Sequence, residues 1–102
     1  MRPQVIKKSL TGTTAWIPMD YKQSPFNVSF AVVVNGTITY DIEHTFDDVF
    51  DTSVTPVAFK HASVVSQSAN KDGNYSAPIR AMRINNTAGT GDTTLTILQG
   101  LR

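Results

Sequence analysis

Residues 27–46 read NVSFAVVVNGTITYDIEHTF, and this stretch decides the fold class. On both sides of Asn35 and Gly36, apolar residues recur at every second position, which is the period of a β-strand with one buried face. Asn-Gly favours a two-residue reversal because both positions accept positive φ. The stretch therefore predicts a β-hairpin with two core-facing rows. These rows are Val28, Phe30, Val32 and Val34 on the outgoing strand, and Ile38, Tyr40, Ile42, His44 and Phe46 on the return strand.

The opposite face of the return strand is uniformly polar. By the same period of two, these polar residues alternate with the core row, and we expect them to face water or a partner. The row consists of Thr39, Asp41, Glu43 and Thr45. The outgoing strand has a less polar outer row of Ser29, Ala31 and Val33.

A second hairpin is predicted near the end of the sequence, from residues 79–87 and 93–99 joined through residues 88–92. In the return strand, Leu95 and Ile97 share one face, and Thr94, Thr96 and Leu98 share the other. In the outgoing strand Ile79 and Ala81 have the opposite parity to Met82 and Ile84. That switch predicts a β-bulge or a change of covering face near Arg80.

The rest of the chain predicts short strands and turns. Residues 4–10, 15–18 and 58–65 suggest strands, and residues 70–73 (NKDG) have the composition of a tight turn. No segment shows the apolar spacing of an amphipathic helix. With 102 residues, the chain has the size of one domain. We therefore expect a single all-β domain over residues 1–102, a small antiparallel β-sandwich or jelly-roll-like barrel with little or no helix.

Composition and charge exclude several classes of partner. The formal net charge is +1, far from the basic excess of a surface that follows phosphates, so no nucleic-acid partner is expected. No apolar run approaches a membrane span or a signal peptide, so no membrane partner is expected. Cysteine is absent, and only 17% of residues are charged. Much of the surface must therefore carry Thr, Ser and Asn.

No pattern of residues in the sequence predicts a catalytic, cofactor-binding or metal site. His44 falls on the core side of its strand and His61 lies in an irregular region, so neither has the setting of a catalytic triad. The acidic cluster Asp47, Asp48 and Asp51 lacks the spacing of a calcium loop, and we expect turn and capping roles for it. The glycine-rich residues 89–91 lack the lysine and helix of a phosphate loop. Without an active site, a binding role is expected rather than an enzymatic one.

Two further features concern a possible interface. Trp16, the sole tryptophan, is expected to anchor the core, with an interface anchor as the alternative. Arg80 and Arg83 suggest an outward basic pair that would meet carboxylates of a partner. Pairing within the chain, with Asp41 or Glu43, is an equal alternative.

The residues above also carry a resemblance that extends over most of the chain. WIP (residues 16–18) is followed by SPFN (24–27), and the run 32–40 leads into EHTFDDVFD (43–51). The ending has PIRA (78–81) with Arg83, then TAGTG (87–91), TLTI (94–97) and QG (99–100). In this pattern the sequence resembles small β-rich structural proteins encoded among the virion genes of tailed bacteriophages.

The resemblance implies a virion component that is assembled in the host bacterial cytoplasm. A capsid decoration or cement protein would bind the major capsid protein or other virion proteins, and a tail or head-to-tail component is the closest variant. A homo-oligomer, dimer or trimer, is the default for a particle component. Residues 1–10 and 100–102 are candidate arms, so deletion of residues 1–8 should remove particle binding but leave the fold intact. The candidate interface residues are Arg2, Lys7, Lys8, Asp41, Glu43, Arg80 and Arg83.

A carbohydrate-binding β-sandwich module is the alternative of another class. It requires an exposed aromatic platform for a sugar ring. The candidate platform residues are Trp16, Tyr21, Tyr40 and Tyr75.

Overall fold

The computed structural model describes residues 4–22 and 26–99, and within these ranges it contains β-strands and no helix. The strands are β1 (Gln4–Ser9), β2 (Gly12–Thr13), β3 (Ile17–Pro18), β4 (Val28–Asn35), β5 (Ile38–Thr45), β6 (Phe59–Lys60), β7 (Lys71–Tyr75), β8 (Ala81–Gly89) and β9 (Asp92–Gln99).

The strands form two antiparallel sheets that pack as a sandwich. The first sheet has the order β1-β9-β4-β7, and the second has the order β2-β8-β5-β6, with β3 also paired to β8. The chain changes sheet at every connection except β2–β3 and β5–β6. This alternation is the strand order of a jelly roll, in which β2 and β3 together act as one interrupted edge strand. The prediction of an all-β fold, a small antiparallel β-sandwich or jelly-roll-like barrel, is confirmed, and the two sheets make it a sandwich.

Between the two sheets lies a core built by the alternation that the sequence predicted. The inward residues of β4, β5, β8 and β9 are almost fully enclosed, and each such aliphatic or aromatic side chain contributes about 1.5 to 3 kcal/mol by leaving water. The members of the core are Ile17, Met19, Phe26, Val28, Phe30, Val32, Tyr40, Ile42, Val64, Tyr75, Ile79, Met82, Ile84, Leu95 and Ile97.

Two predicted core positions on the return strand differ from the others. His44 is half-buried at the rim, and Phe46 is 55% exposed. Phe46 departs from the pattern because β5 ends at Thr45, so that the alternation no longer fixes the direction of its side chain.

Both predicted hairpins are wrong. The chain does reverse at Asn35 and Gly36, where Gly36 has φ of +83°. However, β4 pairs with β9 in the first sheet, whereas β5 pairs with β8 in the second. The β4–β5 and β8–β9 connections are therefore arches between the sheets. An isolated hairpin leaves its apolar face exposed, whereas an arch turns the apolar faces of its two strands toward each other across the core.

The two arches are stacked on one another. The carbonyl of Thr37 accepts hydrogen bonds from the N–H groups of Thr90 at 3.0 Å and Gly91 at 2.8 Å. A Cβ atom on Gly36 would lie 3.2 Å from Cα of Gly91. This close approach of the backbones explains why both turns contain glycine.

The middle of the chain holds an edge strand that sequence patterns located only in part. Of residues 58–65, only β6 is regular, but the chain beyond it continues along β5. Tyr40 and Gln67 exchange two backbone hydrogen bonds, and Ile42 N–H donates to the carbonyl of Val64 at 3.1 Å. The tight turn predicted at residues 70–73 is wrong, since β7 begins at Lys71 and pairs with β4.

The predicted irregularity of the outgoing strand occurs at a different place. The register between β5 and β8 shifts between Thr39 and Tyr40, which pair with Ala88 and Asn86. The extra residue of this bulge is Thr87, far from Arg80 along the strand. Ala81 and Met82 point to opposite faces of the sheet, and both are fully buried at the start of β8. The pairing of β8 with β5 shows no shift at this point.

The described part of the predicted N-terminal arm is a strand. β1 pairs with β9 over its whole length, from Gln4 with Ile97 to Ser9 with Asp92. Deletion of residues 1–8 would remove most of this edge strand, so the structure argues against the expectation that the fold survives the deletion intact. Residues 1–3 and 100–102 lie outside the described residues.

Candidate interaction surfaces

The seven candidate interface residues do not form one patch. Arg2 lies outside the described residues. Lys7 projects from β1 on the outer side of the first sheet, where its side chain is 61% exposed and its Nζ lies 3.5 Å from Asp92 Oδ2. Lys8 points to the other side of β1 and is half-buried. The remaining four residues belong to the second sheet or its margin.

The expectation that the polar row of β5 faces water or a partner is wrong for three of its four members. Asp41, Glu43 and Thr45 are at most 5% exposed, and only Thr39 is half-buried. The chain after β6 reaches the outer face of the second sheet at Asp41. The backbone N–H of Ser66 donates to Asp41 Oδ1 at 2.6 Å, and Lys60 Nζ lies 3.4 Å from Asp41 Oδ2.

Glu43 is held by a second set of contacts on the same face. Arg83 Nε donates to Glu43 Oε1 at 2.8 Å, and Asn85 Nδ2 donates to Oε2 at 3.1 Å. The guanidinium of Arg83 lies 4.2 Å from the ring centre of Trp16. The expected pairing of Arg83 with Glu43 within the chain is thus confirmed. Both carboxylates are satisfied internally, so neither is available to a partner.

Trp16 and Arg80 do not occupy the positions expected from the sequence. Trp16 is half-buried outside the core and covers the Arg83 guanidinium, so it does not anchor the core. Arg80 is half-exposed, with its guanidinium 5.0 Å from the ring centre of Tyr21 and 3.9 Å from Asp48 Oδ2. The two arginines therefore do not act as one outward pair.

The outer side of the first sheet has no covering segment among the described residues and carries few charges. We call it the open face. Three of its apolar side chains are largely exposed, Val5 at 64%, Val33 at 54% and Leu98 at 51%. The charged residues at the outward positions of its strands are Lys7, Asp72 and Asp92, and Asp92 is the residue that pairs with Lys7. The register places four cross-strand rows on it, which are Ser9-Asp92-Asn35, Lys7-Thr94-Val33, Val5-Thr96-Ala31-Asp72 and Leu98-Ser29-Asn74.

A second exposed apolar surface lies where β5 meets β6, and we call it the aromatic groove. It consists of His44, Phe46, Phe59, His61 and Tyr75, beside a depression of about 380 Å³. The ring centres of Phe46 and Phe59 are 5.8 Å apart, and both rings contact that of His44. Sequence reasoning missed Phe46 and Phe59 because parity assigned the first to the core and nothing marked the second.

The groove also holds the chain's two histidines close to Tyr75. The Tyr75 hydroxyl lies 2.9 Å from His44 Nδ1, and His61 Nε2 lies 3.0 Å from the carbonyl of Asn74. Burial lowers the pKa of His44, and the nearby His61 lowers it further. Burial raises the pKa of Tyr75. His44, which parity assigned to the core side of its strand, thus lies at the rim and is hydrogen-bonded to Tyr75.

The acidic cluster has the turn and capping role that the sequence predicted. Asp48 Oδ1 accepts the N–H of Phe50 at 3.0 Å, and Asp47 Oδ2 accepts that of Val57 at 2.8 Å. Asp51 accepts both the N–H and the hydroxyl of Ser53, and these hydrogen bonds lower its pKa. Within residues 4–22 and 26–99, no three acidic, histidine or cysteine side chains are grouped as metal ligands would be.

The four aromatic residues proposed for a glycan platform do not form one. Tyr40 is fully buried and Tyr75 is 9% exposed. The Tyr40 hydroxyl donates to the carbonyl of Ala69 at 2.7 Å, and burial raises the pKa of Tyr40 to about 12. Trp16 covers Arg83, and Tyr21, at 39% exposed, packs against Arg80. Exposed aromatic area is instead found in the aromatic groove.

Comparison with known proteins gives one informative likeness. No protein-family model matches the chain, and no curated protein matches it. Among solved structures, the chain is similar to a protein from Bacillus endospore appendages, described as a novel family of disulfide-linked pili. The TM-score is 0.53 at 20% identity, over 99% of this chain and 87% of the other. At this identity the likeness establishes the fold alone. No helix in the described part of the chain has the length and apolar character to cross a membrane.

Proposed function

We propose that this chain is a non-enzymatic structural protein that works by association with other protein subunits, as a virion component of the capsid decoration type. The open face is the observation that carries the proposal. Val5, Val33 and Leu98 expose apolar side chains on a regular sheet, and such a face gains stability when a protein surface covers it. The buried carboxylates of the second sheet, Asp41 and Glu43, by contrast, form contacts within the chain.

The virion assignment rests on the sequence resemblance to small phage structural proteins. It makes the major capsid protein or another virion protein the partner, and the virion the location. The tail or head-to-tail junction is the closest variant. The jelly-roll fold supports this assignment, because capsid domains are among the proteins that use it.

The structural similarity to a pilus protein supports the assembly part of the proposal. That protein belongs to disulfide-linked pili, whereas these 102 residues contain no cysteine. Assembly through the present chain would therefore depend on non-covalent surfaces. A face rich in valine, leucine and threonine is suited to such contacts.

Co-sedimentation with phage capsids that lack the protein tests the proposal. We expect saturable binding by the wild-type chain and loss of binding by Val33→Asp, which places a charge in the centre of the open face. Val57→Asp is the matched control, since Val57 is 58% exposed in a loop away from that face. Failure of the wild type to bind either capsids or tails would overturn the virion role.

Glycan binding is the second candidate, and the aromatic groove favours it. Phe46 and Phe59 present ring area beside the polar groups of Asn74 and Lys60, a combination that suits a sugar ring. A glycan array with the wild type, Phe46→Ala and Phe59→Ala tests this. Binding that both variants lose would support the candidate, and an array without signal would remove it.

A further inference from the structure

The edge strand β7 contacts the second sheet through the two histidines of the aromatic groove. His44, on β5, has its Nδ1 at 2.9 Å from the Tyr75 hydroxyl, and His61, which follows β6, has its Nε2 at 3.0 Å from the carbonyl of Asn74. The ring centres of the two histidines lie 5.1 and 4.8 Å from that of Tyr75. Two imidazoles of the second sheet thus hold two adjacent residues at the edge of the first. We call the two imidazoles the histidine clasp.

The hydrogen-bond partners of His61 fit the neutral ring. A carbonyl can only accept, so the contact with Asn74 places a proton on Nε2. The backbone N–H of Ser63 donates to Nδ1 at 3.2 Å, which requires that Nδ1 has no proton. Protonation of Nδ1 would set two N–H groups against each other. The Ser63 hydroxyl, also 3.2 Å from Nδ1, can turn to accept the new proton, but the backbone N–H loses its acceptor.

His44 disfavours a positive charge for a different reason. Its partner, the Tyr75 hydroxyl, can donate or accept, so the hydrogen bond itself does not distinguish the two forms of the ring. The ring is half-buried, and burial penalises the charged imidazole. The pKa of His44 is lowered by this burial first and by the nearby His61 second. The two rings therefore oppose each other's protonation.

No carboxylate in the described part of the chain balances a positive charge on either imidazole. Within residues 4–22 and 26–99, none of the ion pairs includes a histidine. The acidic side chains on the neighbouring elements bind other groups or lie on another face. They are Asp41, paired with Lys60, Glu43, paired with Arg83, Asp47, which accepts the N–H of Val57, and Asp72, on the open face.

The other elements packed against the clasp carry positive or uncharged side chains. Lys60 ends β6, and Lys71 has the inward parity on β7. β4 contributes Phe30, whose ring centre lies 5.2 Å from that of His61. Residues 76–79, which also line the groove, are uncharged. Protonation of both rings would thus place two like charges against the same tyrosine without an anion to offset them.

β7 is the strand that such repulsion would displace most readily. It has five residues, lies at the edge of the first sheet and pairs with β4 alone. Tyr75 is its only buried residue. Gly73, at its centre, provides no side chain to anchor it, and a Cβ atom there would lie 2.8 Å from Cζ of Phe30. An edge strand with one buried side chain is expected to open locally at a small cost in free energy.

We propose that the histidine clasp is a pH-sensitive device that holds β7 against the second sheet at neutral pH and releases it in mild acid, while the rest of the sandwich stays folded. The inference goes beyond the proposed function and does not depend on it. Because the pKa of His44 is lowered, release is expected below about pH 6.5, the ordinary pKa of histidine. Release uncovers Phe30 and the hydrogen-bonding edge of β4.

Amide hydrogen exchange followed by NMR tests the clasp. After correction for the intrinsic pH dependence of exchange, the β7 amides that are protected at about pH 7.5 should lose at least about tenfold in protection at about pH 5.5. Amides of β9 in the same sheet should change less than about threefold. The double variant His44→Gln with His61→Gln should lose most of this pH response, because glutamine does not titrate. Lys7→Gln, at the opposite edge of the first sheet, should keep the wild-type response.

Two further measurements keep the outcome decisive. Circular dichroism at neutral pH verifies that each variant is folded, and NMR titration of the imidazole C–H resonances gives the pH at which each ring is protonated in the wild type. Release of β7 should coincide with that titration. Protection of β7 that does not change with pH, an equal loss in β7 and β9, or release at a pH where neither ring titrates would each overturn the proposal. A double variant that keeps the full wild-type response would overturn it as well.

Discussion

The hydroxyl of Thr93 donates a hydrogen bond of 2.9 Å to Asn86 Oδ1, and this bond joins the two sheets inside the sandwich. Asn86 belongs to β8 of the second sheet and Thr93 to β9 of the first, and both are at most 1% exposed. Asn86 Nδ2 also donates to the carbonyls of Lys8 at 3.1 Å and Leu10 at 2.9 Å. One buried amide thus ties β8, β9 and the β1–β2 turn together.

Replacement of Asn86 by Ala should lower the free energy of unfolding by about 3 kcal/mol. The variant leaves the buried Thr93 hydroxyl without its acceptor, at a cost of about 1 to 3 kcal/mol, and removes the donor from the partly buried carbonyls of Lys8 and Leu10. Urea denaturation monitored by circular dichroism measures the loss. Thr87→Ala, at the exposed neighbouring position, should change stability by less than about 0.5 kcal/mol. Equal effects in the two variants would contradict the assigned role.

The two arginines of β8 and its approach should differ sharply in their contribution to stability. Arg83→Ala leaves the enclosed Glu43 carboxylate without its charged partner and removes the contact between the guanidinium and the Trp16 ring, so we expect a loss of about 2 to 3 kcal/mol. Arg80 forms a long, exposed contact with Asp48 and lies over the exposed ring of Tyr21, so Arg80→Ala should cost less than about 1 kcal/mol. Thermal and urea unfolding of both variants under identical conditions provides the comparison. A loss for Arg83→Ala no larger than that for Arg80→Ala would contradict the role assigned to Arg83.

The stacked arches should not tolerate a side chain at Gly91. A Cβ atom there would lie 2.9 Å from the backbone nitrogen of Thr37 and even closer to the carbonyl oxygen of Asn35. Since backbone atoms cannot give way as a side chain can, Gly91→Ala should destabilise the fold by about 2 kcal/mol or more. Thr90→Ala in the same turn keeps the N–H that donates to Thr37 and should have an effect of less than about 0.5 kcal/mol. The denaturant midpoints of the two variants test whether Gly91→Ala lowers stability while Thr90→Ala does not.

His44 should make the fold less stable in mild acid. Its pKa is lowered in the folded state, mainly by burial and then by His61, so the unfolded chain binds a proton more readily. Its contribution is therefore complete above the unfolded pKa of about 6.5 and is lost as pH falls from there through the folded pKa. Unfolding free energies measured between about pH 7.5 and pH 5 should show this decline.

Two variants separate the causes of that decline. His44→Gln should remove this part of the pH dependence, because the imidazole whose pKa is lowered by burial is no longer present. His61→Gln should only reduce it, because the burial of His44 is unchanged when the neighbouring charge is removed. A wild type and a His44→Gln variant with the same pH profile would contradict the assignment to His44.

The interior rows of the sandwich could be predicted from alternation alone. Val28, Phe30 and Val32, like Leu95 and Ile97, are buried as their parity requires, because any half-buried strand shows the same period whatever its neighbour is. The absence of helical spacing likewise predicted the absence of helices in the described ranges. Turn composition at Asn35 and Gly36 correctly located a reversal of the chain.

The candidate site could be predicted less well, and the polar row of β5 shows why. Asp41 and Glu43 have the parity of solvent-facing residues, but a distant segment of the chain and Arg83 enclose them. The alternation along a strand shows which face a residue lies on, but it does not show whether another segment of the chain packs on that face. For the same reason, the sequence identified Val33 and Leu98 as outward residues without showing that they share one face.

The sequence by itself determined the strand character, the buried rows and the places where the chain reverses, because these follow from side-chain polarity and from the φ preferences of Asn and Gly. Tertiary structure alone decided that β4 pairs with β9 and not with β5, and hence that the open face exists. The alternation is the same for a hairpin and for an arch. The choice between them depends on closing one core between two sheets, and that requires all the strands at once.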